Sequence, residues 1–333
     1  LALIHFSAQP WLDEQSMDTP WFLFILPCNR CMKTPFDLRT LKSRFIYNPT
    51  AGHNSRDSSL LAKTKSFIAE HRLDARVDVT EHRHHATELA RQAVADGCQL
   101  VVAIGGDGTL NETATPLIKT DIAFGLIPCG SGNGLGRHLG LFRPIENAFN
   151  ALLHGQLKAI DSGSANGHPF FTAMGMGFDA EVSSRFNGLT RRGMSAYVRT
   201  TIKAWFSYRP EYYVIAGDSL SINSEAFIVA VGNADQYGND CFISPGAQVD
   251  DGRLNLTILK RVNTFTVPIL AWRMFRGTIH RSPTVICADG EHFTIKRSSP
   301  GPIHTDAEIR QTDAEVAVEV HPRSLQMVLP AQA

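Results

Sequence analysis

The sequence predicts an α/β plus β protein. A doubly wound parallel sheet is expected in the N-terminal half and a mostly antiparallel β-sandwich in the C-terminal half. Three observations carry this reading. Between residues 43 and 160, short apolar strands alternate with segments of helical spacing, the pattern of a parallel sheet with helices on both faces. After about residue 160, strand-like runs dominate and turns such as Gly217-Asp218, Asp251-Gly252 and Asp289-Gly290 separate them. The chain has 333 residues, 43% of them hydrophobic and 19% charged, which suits about two domains with full cores.

The elements follow in order. Residues 44–47 form a strand that ends in the turn signal Asn48-Pro49-Thr50-Ala51-Gly52. Residues 59–71 have helical spacing, with Leu60, Leu61, Phe67 and Ile68 on one face. A strand at 75–79 precedes a helix at 86–95, which Gly97 closes as a C-terminal cap. The strand 100–104 runs into Gly105-Gly106-Asp107-Gly108-Thr109 and a further helix, and the strand 122–127 feeds Pro128-Cys129-Gly130-Ser131-Gly132-Asn133. A helix at 145–154 ends this half. Strands are then expected at 169–173, 212–216, 226–231, 254–259, 284–288, 292–296 and 316–320, with helices at 194–208 and 264–275. The expected organisation is a poorly structured extension at 1–42, an α/β domain at 43–160 and a β-rich domain at 161–330. Residues 300–330 of the last are expected to return to the cleft. Within the extension, residues 1–31 read as an upstream stretch before a natural start at Met32-Lys33.

Composition excludes several function classes. Formal net charge is zero, so no global basicity points to nucleic acid. No apolar run reaches the ~20 residues of a membrane span, and no basic stretch precedes the short apolar run 21–27 to make a signal peptide. The six cysteines, Cys28, Cys31, Cys98, Cys129, Cys241 and Cys287, are scattered as reduced thiols of a cytoplasmic protein would be. Cys28 and Cys31 form a lone CxxC with no second pair to complete a zinc site.

The glycine turns carry the chemistry. Glycines at a strand-to-helix corner let backbone N–H groups approach a ligand, and the following helix N-terminus favours an anion. Asp107 inside such a loop repels phosphate unless a divalent cation stands between them. Nucleotide phosphates with Mg²⁺ therefore fit. The chain has no GxxxxGK[ST] motif, and Gly130-Ser-Gly132-Asn-Gly134-Leu-Gly136 fails the GxGxxG spacing. The three turns at 48–52, 105–109 and 130–133 all fall at the C-terminal ends of predicted parallel strands, where open α/β sheets bind ligands.

These turns resemble those of the diacylglycerol kinase catalytic-domain family, which includes bacterial lipid kinases, sphingosine kinases and ceramide kinases. Further matches are Gly175-Met-Gly177-Phe178-Asp179-Ala180, Gly232-Asn233, Tyr237-Gly238, Pro245-Gly-Ala247, Asp251-Gly252 and Asp306-Ala307-Glu308, so the resemblance covers about residues 43–330. It implies that Asn48, Pro49, Thr50, Ala51 and Gly52 hold ATP, together with Gly105, Gly106, Asp107, Gly108, Thr109, Leu110 and Asn111. Thr80 and Ser131 are implied as hydroxyl contacts. Asp107 is implied as the residue that binds the catalytic Mg²⁺, through water. A second, structural Mg²⁺ is implied at the 248–253 turn, on the Asp251 carboxylate and the backbone carbonyls of Gln248 and Arg253.

Asp306 and Glu308 stand two residues apart, which in an extended strand puts both on one face. Glu308 fits a general base for phosphoryl transfer, with Asp306 orienting it. The family's usual glycine between them is Ala307 here, which is strained by about 1 kcal/mol if that position needs positive φ. Residues 185–209 hold Arg185, Arg191, Arg192, Arg199, Lys203 and Arg209 with Trp205, Phe206 and Tyr208, and no acid. They read either as a surface for an anionic membrane or as a solvated helix with a core-facing aromatic stripe. The run Glu81-His82-Arg83-His84-His85 reads as a loop entering a helix rather than a metal site. The expectation is an ATP- and Mg²⁺-dependent lipid kinase, most simply one that makes phosphatidic acid from diacylglycerol. Its expected partners are a lipid, an anionic membrane surface and a second copy of the chain, and no nucleic acid. An NAD kinase-like enzyme with a soluble acceptor and a non-catalytic nucleotide-binding homologue are the rival readings.

Overall fold

Four parallel strands form where the apolar runs predict them: β1 (Ser43–Tyr47), β2 (Ala75–Val79), β3 (Leu100–Gly105) and β4 (Ala123–Pro128), in the order β4-β3-β1-β2. Alternation sorts their side chains between two helical layers. Phe45, Tyr47, Leu100, Val102 and Ile104 pack against Phe67 of α1 (Ser59–Glu70) and Phe149 and Leu152 of α5 (Glu146–His154). Ile46, Val101, Ala103, Phe124 and Leu126 meet the other side, with Leu89 of α2 (His85–Ala95), Leu110 of α3 (Asp107–Ala114) and Leu135 of α4 (Gly134–His138). Both sheet faces are therefore dry, as a parallel sheet requires. The computed structural model describes residues 36–52, 59–187, 194–218, 220–260 and 262–331. The expectations for residues 1–31, the Cys28–Cys31 pair and Arg191 and Arg192 lie outside the described residues.

The second half builds a sandwich from β5 (Gln156–Ala165), β6 (His168–Phe170), β7 (Ala173–Gly177), β8 (Glu211–Gly217), β9 (Leu220–Gly232), β10 (Leu254–Lys260), β11 (Val285–Gly290), β12 (His292–Arg297), β13 (Gly301–Thr305), β14 (Glu308–Thr312) and β15 (Glu315–Leu329). One layer runs β14-β13-β7-β9-β10-β11, and the other joins β8, β12, β15 and β5. The long β9 serves both: its first half pairs with β8 and its second lies between β7 and β10. Met174, Met176, Val229, Val231, Leu256 and Ile303 face Tyr213, Ile215, Phe293, Ile295 and Val318 across the interior. Phe227, Ile228 and Ala230 belong instead to a further apolar cluster. There they are covered by α6 (Phe178–Asn187), α7 (Met194–Ser207) and α8 (Val267–Phe275), through Val182, Ala204 and Leu270.

β15 crosses from one lobe to the other. Its first part pairs with β12, and after a bulge between His321 and Leu325 its last part lies parallel to β4. β5 runs beside it throughout and passes through residue 160, where the composition of the sequence changes. No described helix is long and apolar enough to cross a membrane.

In the 185–209 segment, Trp205 and Tyr208 pack edge-on or tilted against Phe178 and Phe227, and Arg185 is paired with Glu181. The described part of this aromatic stripe faces the core.

Candidate active site

The three glycine turns meet at the carboxyl ends of β1, β3 and β4. Asn48 donates its backbone N–H to Ile104 O (2.9 Å) and its side-chain amide to Thr109 Oγ1 (2.8 Å). Its Oδ1 accepts from the N–H and hydroxyl of Thr50 (2.9 and 2.8 Å). At Gly52 (φ +48°) a Cβ would stand 2.1 Å from Cys129 O, and at Gly130 one would stand 2.4 Å from Gly106 Cα. Backbone thus touches backbone among all three turns, which only residues without side chains permit. Asn133 (φ +57°) fastens the third turn, accepting from Gly130 N–H (2.8 Å) and donating to Gly130 O (2.7 Å). Thr80 is buried at the end of β2, with its N–H on Tyr47 O. Ser131 is exposed at the tip of the third turn.

Asp107 opens α3 and is half-buried. Its Oδ2 accepts from Asn133 N–H and its Oδ1 from Gly134 N–H, each at 2.8 Å. Burial pushes this carboxyl up to about 6, and the charge of Asp306 adds to the rise. Each oxygen retains a lone pair, and no ion pair to a cationic side chain is seen among the described residues. That donor chemistry fits Mg²⁺ beside a phosphate. Gly106, Gly108 and Thr109 complete an anion-accepting helix N-terminus.

Two expected nucleotide contacts are otherwise engaged. Leu110 is buried in the core beneath the loop, and its N–H is held by Gly106 O, so it offers a ligand nothing. The Asn111 amide donates to Pro169 O (2.9 Å) and Asp306 Oδ2 (2.8 Å), tying α3 to the sandwich.

The expectation that Asp306 and Glu308 share a strand face is corrected. Thr305 and Glu308 pair across a two-residue hairpin whose central residues, Asp306 and Ala307, have φ +48° and +67°. The tight twist of such a turn turns Asp306 inward. It accepts from Asn111 and Phe171 N–H (2.8 Å each) on Oδ2, and from Thr172 (2.8 Å) and Ala173 N–H (3.2 Å) on Oδ1. Asp306 is thus a saturated structural anchor, and what it positions is the hairpin that carries Glu308. Burial raises its carboxyl, against these donors.

Glu308 reaches back over Gly108 in the second glycine turn. Its Oε1 would lie 3.5 Å from a methyl group placed on Gly108, and its Oε2 accepts from Arg83 Nη2 at 2.7 Å. Arg83 stands on the turn before α2. His84 there has φ +64° and gives its N–H to Glu112 Oε1 (3.1 Å). Burial raises the Glu112 carboxyl, and the neighbouring charge of Glu308 contributes. In the sequence Arg83 reads as part of a plain loop, since its partner lies 225 residues away. Across this turn and the first turn of α2, His82, His85 and Glu88 are the one described trio of His, Cys, Asp or Glu side chains whose ligand atoms gather within 4.8 Å.

Behind the hairpin, Asp179 accepts from Tyr237 Oη (2.6 Å) and lies 3.2 Å from His304 Nε2. The Gly-Phe-Asp run of the sequence signalled Asp179; nothing local signalled His304. At the 248–253 turn, the Asp251 carboxylate accepts from Arg253 N–H (2.9 Å), and the Arg253 side chain pairs with Asp289. The buried Asp161, absent from the sequence reading, accepts from Gly252 N–H (2.7 Å) and Arg323 N–H (2.6 Å). Burial raises its carboxyl, with Asp251 and Asp250 adding to the effect.

Known proteins share this architecture. Residues 42–165 match the diacylglycerol kinase catalytic domain, and residues 172–329 match the YegS C-terminal NAD kinase beta sandwich-like domain. The chain is 27% identical over 274 residues to a diacylglycerol kinase of Bacillus subtilis (strain 168), covering 80% of this chain and 89% of that one. It is 27% identical over 211 residues to lipid kinase YegS of Escherichia coli (strain K12), covering 61% and 71%. The crystal structure of a diacylglycerol kinase from Bacillus anthracis str. Sterne superposes with a TM-score of 0.67 at 19% identity, over 87% of this chain and 97% of that one, and so shares the fold. With both domain types in order and the glycine turns assembled around Asp107, the chain belongs to the diacylglycerol kinase and YegS family of lipid kinases.

Proposed function

We propose that the protein transfers the γ-phosphate of ATP to the primary hydroxyl of diacylglycerol, giving phosphatidic acid, a step of phospholipid metabolism. The observation that carries this reading is the placement of Glu308: its carboxylate overhangs Gly108 at the N-terminus of α3, facing the three-turn cradle. The cradle N–H groups and the helix terminus hold the phosphates. Asp107 would hold Mg²⁺, which would supply neutralisation of the charge that develops on the transferring phosphoryl group. Glu308 accepts the hydroxyl proton as the new O–P bond forms and the bond to the β-phosphate oxygen breaks, releasing ADP. Arg83 holds the Glu308 carboxylate in place across the cleft. Asp161 and Asp251 gather negative charge at the 248–253 turn, where a second Mg²⁺ with the carbonyls of Gln248 and Arg253 would brace the crossing to β15. The acceptor enters from a bilayer surface, so the protein works as a peripheral membrane enzyme in the cytoplasm.

The test is turnover of ATP against diacylglycerol, sphingoid bases, ceramide, polyprenols and NAD in detergent micelles. Phosphorylation of diacylglycerol is expected, and Glu308→Gln lowers kcat by about 10²–10⁴-fold with the KM for ATP little changed. Phosphorylation of NAD alone would replace the lipid reading with a soluble acceptor. Undiminished turnover by Glu308→Gln would remove the base.

A further inference from the structure

We propose that α8 and its flanks, residues 262–281, form the element that docks the protein on an anionic bilayer, with Phe265, Ile269 and Trp272 inserted among the lipids. The proposal rests on the reading that the acceptor is a bilayer lipid. Among the described residues eight large hydrophobic side chains are exposed, and four of them fall within this short stretch: Phe265 (89%), Ile269 (56%), Trp272 (59%) and Phe275 (57%). The other four, Val79, Leu157, Tyr212 and Val214, are spread over three strands. A concentration of this kind marks an interaction site rather than the ordinary leakage of apolar surface.

The spacing separates two faces. Leu270 and Met274, four residues apart, pack into the cluster that also holds Phe178, Ala204, Phe227 and Ile279. Phe265, Ile269, Trp272 and Arg276 follow at intervals of four, three and four, which is one stripe of a helix and its approach, on the solvent side. Pro268 starts the helix, where its missing N–H costs nothing. The Arg276 guanidinium lies 5.8 Å from the centre of the Trp272 ring, an arrangement of cation and indole suited to a headgroup layer.

Charge selects the occupant. From Lys260 to Ala288 the sequence holds Lys260, Arg261, Arg273, Arg276 and Arg281, and no aspartate or glutamate. Basic side chains around an apolar helix face complement an anionic lipid surface. The same charge opposes a second copy of this face, since two like-charged stretches would be brought together. The related segment at 185–209 directs its described aromatic residues into the core, whereas α8 directs them out. Both α7 and α8 lie over the cluster that contains Phe178.

The full chain is tested by co-sedimentation with phosphatidylcholine vesicles containing or lacking phosphatidylglycerol, without ATP or acceptor lipid. Binding to the anionic vesicles is expected, with little to pure phosphatidylcholine. Phe265→Ser with Trp272→Ser lowers it about tenfold or more, and Arg276→Gln and Arg281→Gln lower it about fivefold each. The thermal midpoint and turnover of micelle-dispersed diacylglycerol stay unchanged, because these side chains are exposed and make none of the contacts described at the site. Equal binding to neutral vesicles, unaltered binding by the variants, or a dimer that the Phe265/Trp272 variant dissociates without any vesicle binding would each overturn the proposal. A wild-type protein that binds vesicles yet phosphorylates no lipid would instead overturn the function above and leave this surface standing.

Discussion

Two aspartates meet at the cleft, one from each lobe, and their surroundings set them different work. Asp107 belongs to the glycine turn after β3, is half-buried and accepts one backbone N–H on each oxygen. Asp306 belongs to the β13–β14 hairpin, is buried and accepts four donors. Both carboxyls are raised by burial. Asp107 keeps lone pairs free in a place where its charge is poorly compensated, so it gains from a cation. Asp306 has its donors already and gains only from being left alone. The nominal identity of a residue in a motif therefore says less about its role than the number of N–H groups aimed at it.

The sharpest way to break this comparison is Asp107→Asn. Activity with ATP and Mg²⁺ falls by about 10²–10⁴-fold, while the fold is retained. The same variant has a pH signature in the metal-free protein. A carboxyl whose pKa is raised by folding contributes stability that is present below its unfolded value of 3.8 and is lost as pH rises through about 6. The thermal midpoint of the wild type, taken relative to Asp107→Asn, should therefore fall between pH 4 and pH 6. A flat difference would mean that the carboxylate is already compensated.

Asp306→Asn inverts the pattern, with stability as the main casualty. An amide here turns a donor towards the N–H groups of Phe171 and Asn111 or of Thr172 and Ala173. The expected cost is about 3 kcal/mol, measured by denaturant unfolding. A variant as stable as wild type but inactive would move Asp306 into the chemistry. Arg83→Gln is milder, since the guanidinium is largely exposed. It should reduce kcat about three- to tenfold, with the denaturation midpoint unchanged. Ala307→Gly should have the smallest effect. Removing the methyl group at φ +67° should stabilise the hairpin by about 1 kcal/mol and leave turnover near wild type.

The nucleotide half was legible because its signals are local. Each apolar run leads into a glycine turn, and the turns fall where a parallel sheet gathers its ligands. The hairpin was less legible. Alanine at a positive-φ position carries no turn signal, so Asp306 and Glu308 read as one extended strand. β5 was missed because its exposed first half alternates weakly and its buried second half reads Ile160-Asp-Ser-Gly-Ser-Ala165, too polar for an apolar run. Asp161 and Arg83 act through partners, Arg323 and Glu308, that no sequence window contains. The aromatic and basic segments at 185–209 and 260–281 have similar compositions, and only packing separates the inward Trp205 and Tyr208 from the outward Phe265 and Trp272.

The crossing of β15 also constrains how the protein is made. A ribosome that has delivered residues 43–165 has produced α1 to α5 and all four parallel strands, yet β4 still has one bare flank. Its neighbour there, Gln326–Met327, emerges some 160 residues later. Until then the nascent nucleotide lobe presents an open strand edge, a template for mispairing with other chains. The sandwich must be threaded and the bulge at Arg323 seated on Asp161 before that edge is closed.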